Sequence, residues 1–317
     1  MPSYVRGRYA PSPTGELHLG NLRTALVAWL AVRSSRGTFI LRVEDLDQPR
    51  VIEGAEERIL DDLRWLGLDW DEGPDVGGAH GPYRQSERMD FFAAALQKLE
   101  NRLYPCTCSR SDLRRLASAP HGPQEEGPAY PGFCREKQRH TERPPRPAAL
   151  RFSVAPGDVF FSDLMMGEIQ QNVAQDVGDF VLRRADQIIA YQLAVVVDDG
   201  AMNINQVVRG ADLLDSTPRQ IQLFQALDLP IPRFAHIPLV LNADGERLAK
   251  RDQSTNIRAL RHAGIQADEL LGILGHSLGL RDTPGACTLG HLVDAFAWEK
   301  LSRKPWVCSG VLKKIMD

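Results

Sequence analysis

The sequence predicts an α/β protein: a parallel sheet with crossover helices, an inserted subdomain, and a small helical region at the end. Three observations predict it. The segment Tyr4–Leu30 reads as strand, tight loop and helix. The order strand, helix, strand, helix, helix then runs to Leu103, which favours a sheet wound with crossovers. From residue 104 the chain changes character, with Pro and Gly crowding 119–132 and arginines at 110, 114, 115, 135, 139, 143 and 146.

The first element sets the rest. Tyr4–Tyr9 is extended, a Pro/Gly-rich turn follows, and from Leu22 apolar residues recur at Ala25, Leu26, Trp29 and Leu30, the spacing of one helix face. Such a junction offers unpartnered helical N–H groups and the positive end of the helix dipole to a phosphate. His18 and Gly20 lie at the opening, with no Gly-Lys-Ser/Thr behind them and no three-glycine fingerprint.

Thr38–Val43 is a β-branched and apolar run that reads as a buried strand, ending in Glu44-Asp45-Leu46-Asp47. Acids at the carboxyl end of a parallel strand stand where open α/β sheets bind ligands. Ala55–Leu66 with Gly67 behind it predicts a helix and its stop. Glu87–Leu103 repeats the pattern through Phe92, Leu96 and Leu99.

Within the expected insertion, Cys106-Thr-Cys108 and Cys134 bring three thiols into a chain of five cysteines. In a reducing compartment that spacing suits metal before disulfides, and tetrahedral zinc wants a fourth ligand, for which His121 and His140 are candidates. The grouped arginines could meet an RNA backbone or simply face solvent. Short alternating runs over Ala149–Val173 predict antiparallel strands. Tyr191–Asp199 is an apolar run that periodicity leaves open between helix and strand.

Val207-Val208-Arg209-Gly210 then ends a strand at a glycine turn, with Arg209 offering a bidentate fork for a carboxylate. Thr217-Pro218 starts a helix with Thr217 as cap, and Pro238–Leu241 reads as a last buried strand. A basic loop, Arg247-Leu-Ala-Lys250-Arg251, follows it. Leu270, Leu271, Leu274 and Leu278 before Gly279 have helical spacing.

The totals bound the class. A chain of 317 residues, 43% apolar and 25% charged, can fill two or three packed units. No apolar run approaches the ~20 residues of a membrane span. The N-terminus lacks the pattern of a secretory signal, so a cytoplasmic protein is expected. A net charge of −3 is not that of a protein coated with nucleic acid, so any RNA would meet local basic surface.

Arg8-Tyr-Ala-Pro-Ser-Pro-Thr-Gly15 with His18-Leu-Gly20-Asn21 resembles the H-I-G-H signature of class I aminoacyl-tRNA synthetases, in the form of the glutamyl branch. Arg247 to Arg251 resembles the second signature of that class, K-M-S-K-S, with Arg247 for the first lysine and Lys250 as the second. The resemblance covers roughly Tyr4 to Asn256. It implies a Rossmann-like catalytic domain in two halves (1–103 and 191–252), a zinc-bearing α+β insertion (104–190) and a helical C-terminal region (253–317).

It further implies catalysis by His18, Gly20 and Lys250, with ATP at His18, Gly20, Asn21, Arg247 and Lys250, accompanied by Mg²⁺. Glutamate would be held by Arg8, Tyr9, Ala10, Pro11, Ser12, Glu44, Tyr191 and Arg209. In the family's insertion pattern, Cys106, Cys108, Tyr130 and Cys134 hold one structural zinc, the tyrosine being the fourth ligand. Gln206 departs from the family, which usually has histidine there.

Full glutamyl enzymes continue into a large anticodon-binding region, whereas this chain carries only 256–317 beyond the second signature. The resemblance is therefore to the short glutamyl-Q branch. That branch activates L-glutamate with ATP without tRNA and esterifies it to queuosine in the anticodon of tRNA(Asp). A monomer is expected. A truncated glutamyl-tRNA synthetase charging a tRNA 3′ end, a non-catalytic RNA-binding relative and another class I-like ligase are the alternatives.

Overall fold

A computed structural model describes residues 4–108, 129–130, 132–137, 147–246, 248 and 256–308. Its strands are β1 (Arg6–Tyr9), β2 (Thr38–Leu41), β3 (Leu103–Cys106), β4 (Ala149–Phe152), β5 (Val159–Asp163), β6 (Gly167–Gln171), β7 (Phe180–Arg183), β8 (Gln206–Gly210), β9 (Arg233–Ile237), β10 (Val240–Leu241) and β11 (Trp306–Val307). The helices are α1 (Leu19–Arg33), α2 (Ala55–Trp65), α3 (Met89–Lys98), α4 (Phe133–Lys137), α5 (Val173–Asp176), α6 (Tyr191–Ala201), α7 (Thr217–Ala226), α8 (Ile257–His262), α9 (Ala267–Ser277) and α10 (Leu289–Ala295).

The main sheet has the order β2-β1-β8-β9-β5-β6, parallel except for the β5–β6 hairpin at its edge. At β1 the order reverses, since the chain goes to β2 on one side and β8 lies on the other. The crevice outside the carboxyl ends of β1 and β8 is therefore the switch point where ligands bind in open α/β sheets.

Two apolar cores cover the sheet's faces. One joins α1 and α2 to the C-terminal helices through Leu22, Leu26, Leu30, Leu270, Leu274 and Leu292. The other joins α3, α6 and α7 through Phe92, Leu193, Val196 and Phe224. Because α1 lies between the sheet and the C-terminal helices, it is buried on almost every side, from Leu19 to Val32, and not on the single face that spacing suggests. The turn after it needs Gly37, where a Cβ would stand 1.9 Å from the Val5 carbonyl oxygen.

The expected antiparallel strands of 149–173 divide between two sheets. β4 joins β3 and β7 in a separate antiparallel sheet, whereas β5 and β6, inside the stretch 104–190 expected as the insertion, extend the main sheet through Asp163 and Phe234. Alternation along a strand reports which face is buried and not which sheet it joins. Asp179 ties the small sheet together, accepting from Tyr104, Arg135 and the Val154 amide.

The apolar run from Tyr191 is helical, packed all along its length into the second core. Ser216, not Thr217, stands at the N-cap position of α7; Thr217 is already helical and its hydroxyl is taken by Arg209. Among the described residues no helix is long and apolar enough to cross a membrane.

Candidate active site

A cleft of about 370 Å³ opens at the switch point. Arg8, Tyr9, Ala10, Pro11 and Ser12 line one wall, continuing from the end of β1. Glu44 joins them because the chain beyond β2 keeps pairing with the first loop: the Arg42 amide donates to the Tyr9 carbonyl at 3.0 Å and the Glu44 amide to Pro11 at 2.9 Å. Tyr191 and Arg209 line the same cleft, as do His18, Gly20 and Asn21 at the start of α1. The described residues expected to contact glutamate and nucleotide thus share one cavity. Arg247 and Lys250 lie outside the described residues.

His18 is the N-cap of α1. Its Nδ1 accepts the amides of Gly20 at 3.1 Å and Asn21 at 3.3 Å, while the Asn21 side chain accepts the His18 amide at 3.3 Å. The helix therefore begins at Leu19, earlier than the apolar spacing suggests. Two amides expected to face a phosphate are instead capped by the imidazole. With Nδ1 accepting, the neutral ring carries its proton on Nε2, which is then a donor. Gly20 serves the ring, since a Cβ there would meet His18 Cε1 at 3.0 Å and Nδ1 at 3.1 Å.

The second-signature segment is anchored beside this cap. Leu248 is buried, lines the cleft and donates its amide to Val240 at 3.4 Å. On the far side of the segment, Asn256 forms an antiparallel bridge with His18, and the Ile257 amide donates to Leu17 at 3.2 Å.

A buried charge network underlies the part of the cleft lined by Arg8 and Glu44, and sequence reasoning missed it. Arg42 is fully buried and contacts Asp199 at 2.7 Å and Glu44 at 3.1 Å, while Arg8 contacts the same Asp199 oxygen at 3.0 Å. Behind it, Asp198 takes Arg88 at 2.6 Å and Gln85 at 2.7 Å. The pair Asp198-Asp199 at the end of an apolar helix was the signal available. Burial pushes the Glu44 carboxyl above the usual range, against the opposing pull of Arg42 and Arg8. Asp199 is burdened by burial as well, yet its two arginines hold it below the usual range.

The other acids after β2 point elsewhere. Asp45 accepts from the Ser86 amide and hydroxyl, and Asp47 pairs with Arg50 and Arg184 at the surface. Gln206 is buried at the start of β8, while Arg209 stands near its other end, so the departure from the family lies away from the cleft lining.

Arg209 is 5% exposed, and among the described residues no carboxylate pairs with it. Its donors go to neutral groups: Nε to His236 Nε2 at 3.0 Å, Nη2 to Thr217 at 2.8 Å, and Nη1 to Gln220 at 2.8 Å and the Tyr191 hydroxyl at 3.4 Å. Burial lowers its basicity. A buried cation whose direct hydrogen-bond partners are all neutral is prepared for an anion.

Away from the cleft, the sulfurs of Cys106, Cys108 and Cys134 lie within 4.8 Å of one another, a group able to hold a metal ion. The Tyr130 hydroxyl joins them, 3.5 Å from Cys106 Sγ and 4.0 Å from Cys108 Sγ. Tyr130 is fixed by pairing with Gly178, where a Cβ would stand 2.0 Å from the Tyr130 carbonyl oxygen, and by the Arg151 guanidinium 3.9 Å over its ring. Burial and the neighbouring sulfurs push the Cys108 thiol up to about 12. His121 and His140 lie outside the described residues. Of the seven arginines singled out in this region, Arg135 alone is described, and it pairs with Asp179 at 2.6 Å.

Residues 4–311 match the catalytic domain of tRNA synthetases class I (E and Q). This chain belongs to that family. It is a ligase of the class I aminoacyl-tRNA synthetases. Among curated relatives of this synthetase, the glutamyl-Q tRNA(Asp) synthetase of Symbiobacterium thermophilum is 50% identical over 305 residues, 94% of either chain. That of Nitratidesulfovibrio vulgaris is 50% identical over 282 residues, 87% of either chain. The fold is that of the glutamate-tRNA synthetase of Elizabethkingia anophelis, at a TM-score of 0.82 and 27% identity over 99% of this chain and 70% of that one.

Proposed function

We propose that this synthetase activates L-glutamate with ATP in the absence of tRNA and then transfers the glutamate to queuosine in the anticodon of tRNA(Asp). The observation that carries the reading is Arg209, a buried cation without a carboxylate partner, in the same cleft as Glu44. Arg209 suits a side-chain carboxylate and Glu44 an α-ammonium, the two charges of glutamate beyond its reacting carboxylate. Relatives spanning nearly the same length carry the glutamyl-Q name.

In this reading Arg209 and Tyr191 hold the side-chain carboxylate, and Glu44 takes the ammonium, with Arg8 to Ser12 along its flank. The reacting carboxylate oxygen attacks the α-phosphorus of ATP; the new P–O bond forms as the bond to the bridging oxygen breaks and pyrophosphate leaves. Positioning and charge stabilisation supply most of the rate. His18 donates from Nε2 to a phosphate oxygen, Gly20 and Asn21 hold that ring in place, and Lys250 and Arg247 bring positive charge to the phosphates. Mg²⁺ bound with ATP supplies further neutralisation of the triphosphate. A queuosine hydroxyl then attacks the glutamyl carbonyl, its proton passes to solvent, and AMP departs.

The insertion suits one structural zinc. Tetrahedral bonds of about 2.3 Å to sulfur and 2.0 Å to oxygen place ligand atoms roughly 3.5–3.8 Å apart. The Cys108–Cys134 and Cys106–Tyr130 separations are both 3.5 Å. Cys106, Cys108, Cys134 and Tyr130 would hold it, cross-linking β3 to α4. The protein acts in the cytosol as a monomer.

The test is ATP–pyrophosphate exchange with each amino acid, without tRNA. Exchange with glutamate alone, followed by transfer to queuosine-containing tRNA(Asp) and none to tRNA lacking queuosine, is the expected result. Exchange that needs tRNA points to an ordinary glutamyl-tRNA synthetase, and no exchange under either condition overturns the enzymatic reading.

A further inference from the structure

His236 interrupts an apolar strand and is completely buried. Its two ring nitrogens face different partners: Nδ1 lies 2.6 Å from Asp163 Oδ2 on β5, and Nε2 lies 3.0 Å from Arg209 Nε on β8. An arginine Nε can only donate, so Nε2 must accept and the ring proton must sit on Nδ1. Asp163 secures that tautomer. Its Oδ1 accepts the amides of Met165 and Met166 at 2.9 Å and of His236 at 3.1 Å, which leaves Oδ2 for the imidazole.

We propose that Asp163 and His236 are positioning residues which aim the Arg209 guanidinium and thereby set the preference of the cleft for a carboxylate side chain over an amide. The inference rests on Arg209 being the side-chain anchor in the function proposed above. With no carboxylate beside it, Arg209 is held by neutral acceptors alone, and of these His236 is the one backed by a charge. Asp163 polarises the imidazole toward Arg209 while standing one ring away, so the cation is oriented without being neutralised. Its charge remains for the ligand. Burial and the neighbouring Arg209 keep His236 neutral, outweighing Asp163 and the more remote Asp212. The Phe234 ring, stacked on His236 at 6.2 Å and 5.5 Å from the Arg209 guanidinium carbon, packs against both.

The substitution Asp163→Asn tests the relay with little change in shape. Three backbone amides hold the remaining oxygen in place, so the new amide nitrogen faces Nδ1, the ring adopts the other tautomer, and its Nε2–H opposes the Arg209 Nε–H. In glutamate-dependent pyrophosphate exchange the expected result is a KM for glutamate raised tenfold or more. The KM for ATP should stay within twofold, and selectivity for glutamate over glutamine should fall at least tenfold. A second pair of variants guards against misfolding: His236→Gln keeps an acceptor toward Arg209 and should recover most of the glutamate KM that His236→Leu loses. Unchanged KM and selectivity, or equal rises for both substrates, would overturn the proposal.

Ring-nitrogen NMR of the full chain at neutral pH reads the relay without substrate. A histidine protonated on Nδ1 and bare on Nε2, lost in His236→Gln, is expected, and the opposite tautomer or an imidazolium overturns the relay by itself. A parent protein inert with glutamate would instead overturn the functional reading and the specificity claim with it, while the ring tautomer still reports on Asp163 and His236.

Discussion

The imidazole of His18 folds over the start of its own helix so that Nδ1 accepts the Gly20 amide at 3.1 Å. This contact makes the first signature both a helix cap and a directed donor, and it explains why a glycine stands there. Gly20→Ala should push the ring off its cap, because the new Cβ falls 3.0–3.1 Å from two of its atoms. Alanine favours a helix over glycine by roughly 0.5–1 kcal/mol, which offsets the lost cap, so stability should change little. Expected is a loss of about 10²-fold in kcat for pyrophosphate exchange, the size seen when one oriented donor is removed. Thermal melts with unchanged midpoints beside full activity would contradict this reading of His18.

Glu44 should show a conflict between stability and activity. Its carboxyl is raised above the usual range by burial, so the fold binds that proton more tightly than the unfolded chain does. Its contribution to stability is present below the ordinary carboxylate pKa and is lost as pH rises through the elevated one. At neutral pH Glu44→Gln should therefore melt at the same temperature or higher. Its KM for glutamate should rise at least tenfold, because the ammonium loses its anion. In the parent enzyme that KM should rise as pH falls through the elevated pKa of Glu44.

Removal of Arg88 takes from Asp198 its closest cation. Arg88 and Asp198 are both fully buried and 2.6 Å apart, so Arg88→Met leaves a buried carboxylate with only Gln85 and the Arg42 Nε at 3.8 Å, at a cost of about 3 kcal/mol. Burial already raises the Asp198 pKa, and losing Arg88 raises it further. The penalty measured by urea unfolding should shrink from pH 8 to pH 5 as Asp198 takes up a proton. An equal penalty at both values would show that packing, not charge, is what Arg88 contributes.

Metal content tests the insertion. The purified protein should carry one zinc per chain by elemental analysis, and Cys108→Ala should abolish it and expose residues 104–152 to protease. Tyr130→Phe removes the phenol oxygen and keeps the ring under Arg151, so zinc should remain with affinity lowered about tenfold or more. Full zinc affinity in Tyr130→Phe would remove the tyrosine from the ligand set.

Lys250→Ala should lower the rate of glutamate activation strongly with little change in the melting temperature. Nearby in sequence, Leu248 is anchored in the cleft wall by burial and by its bond to Val240. A near-normal exchange rate would remove Lys250 from its assigned role.

Much of this site was legible because its parts are short contiguous motifs. Arg8 to Ser12, His18, Gly20, Glu44, Tyr191 and Arg209 could be named one by one, and the cleft contains them all. The supporting groups could not. Arg42 and His236 look in sequence like single polar residues in apolar strands, and Asp163 like the end of an exposed hairpin. Their meaning depends on which strands become neighbours.

Taken alone, the sequence determined the α/β class, the strand–loop–helix around His18, the family and many of the residues that line the cleft. These follow from local spacing and from motifs whose chemistry is carried within a few residues. Only the tertiary structure decided that β5 and β6 extend the main sheet, that α1 is buried nearly all round, and that Asp163 reaches Arg209 through His236. Hydrogen-bond direction and charge pairing between β5, β8 and β9 depend on strand order and register, which side-chain alternation along a single strand does not encode.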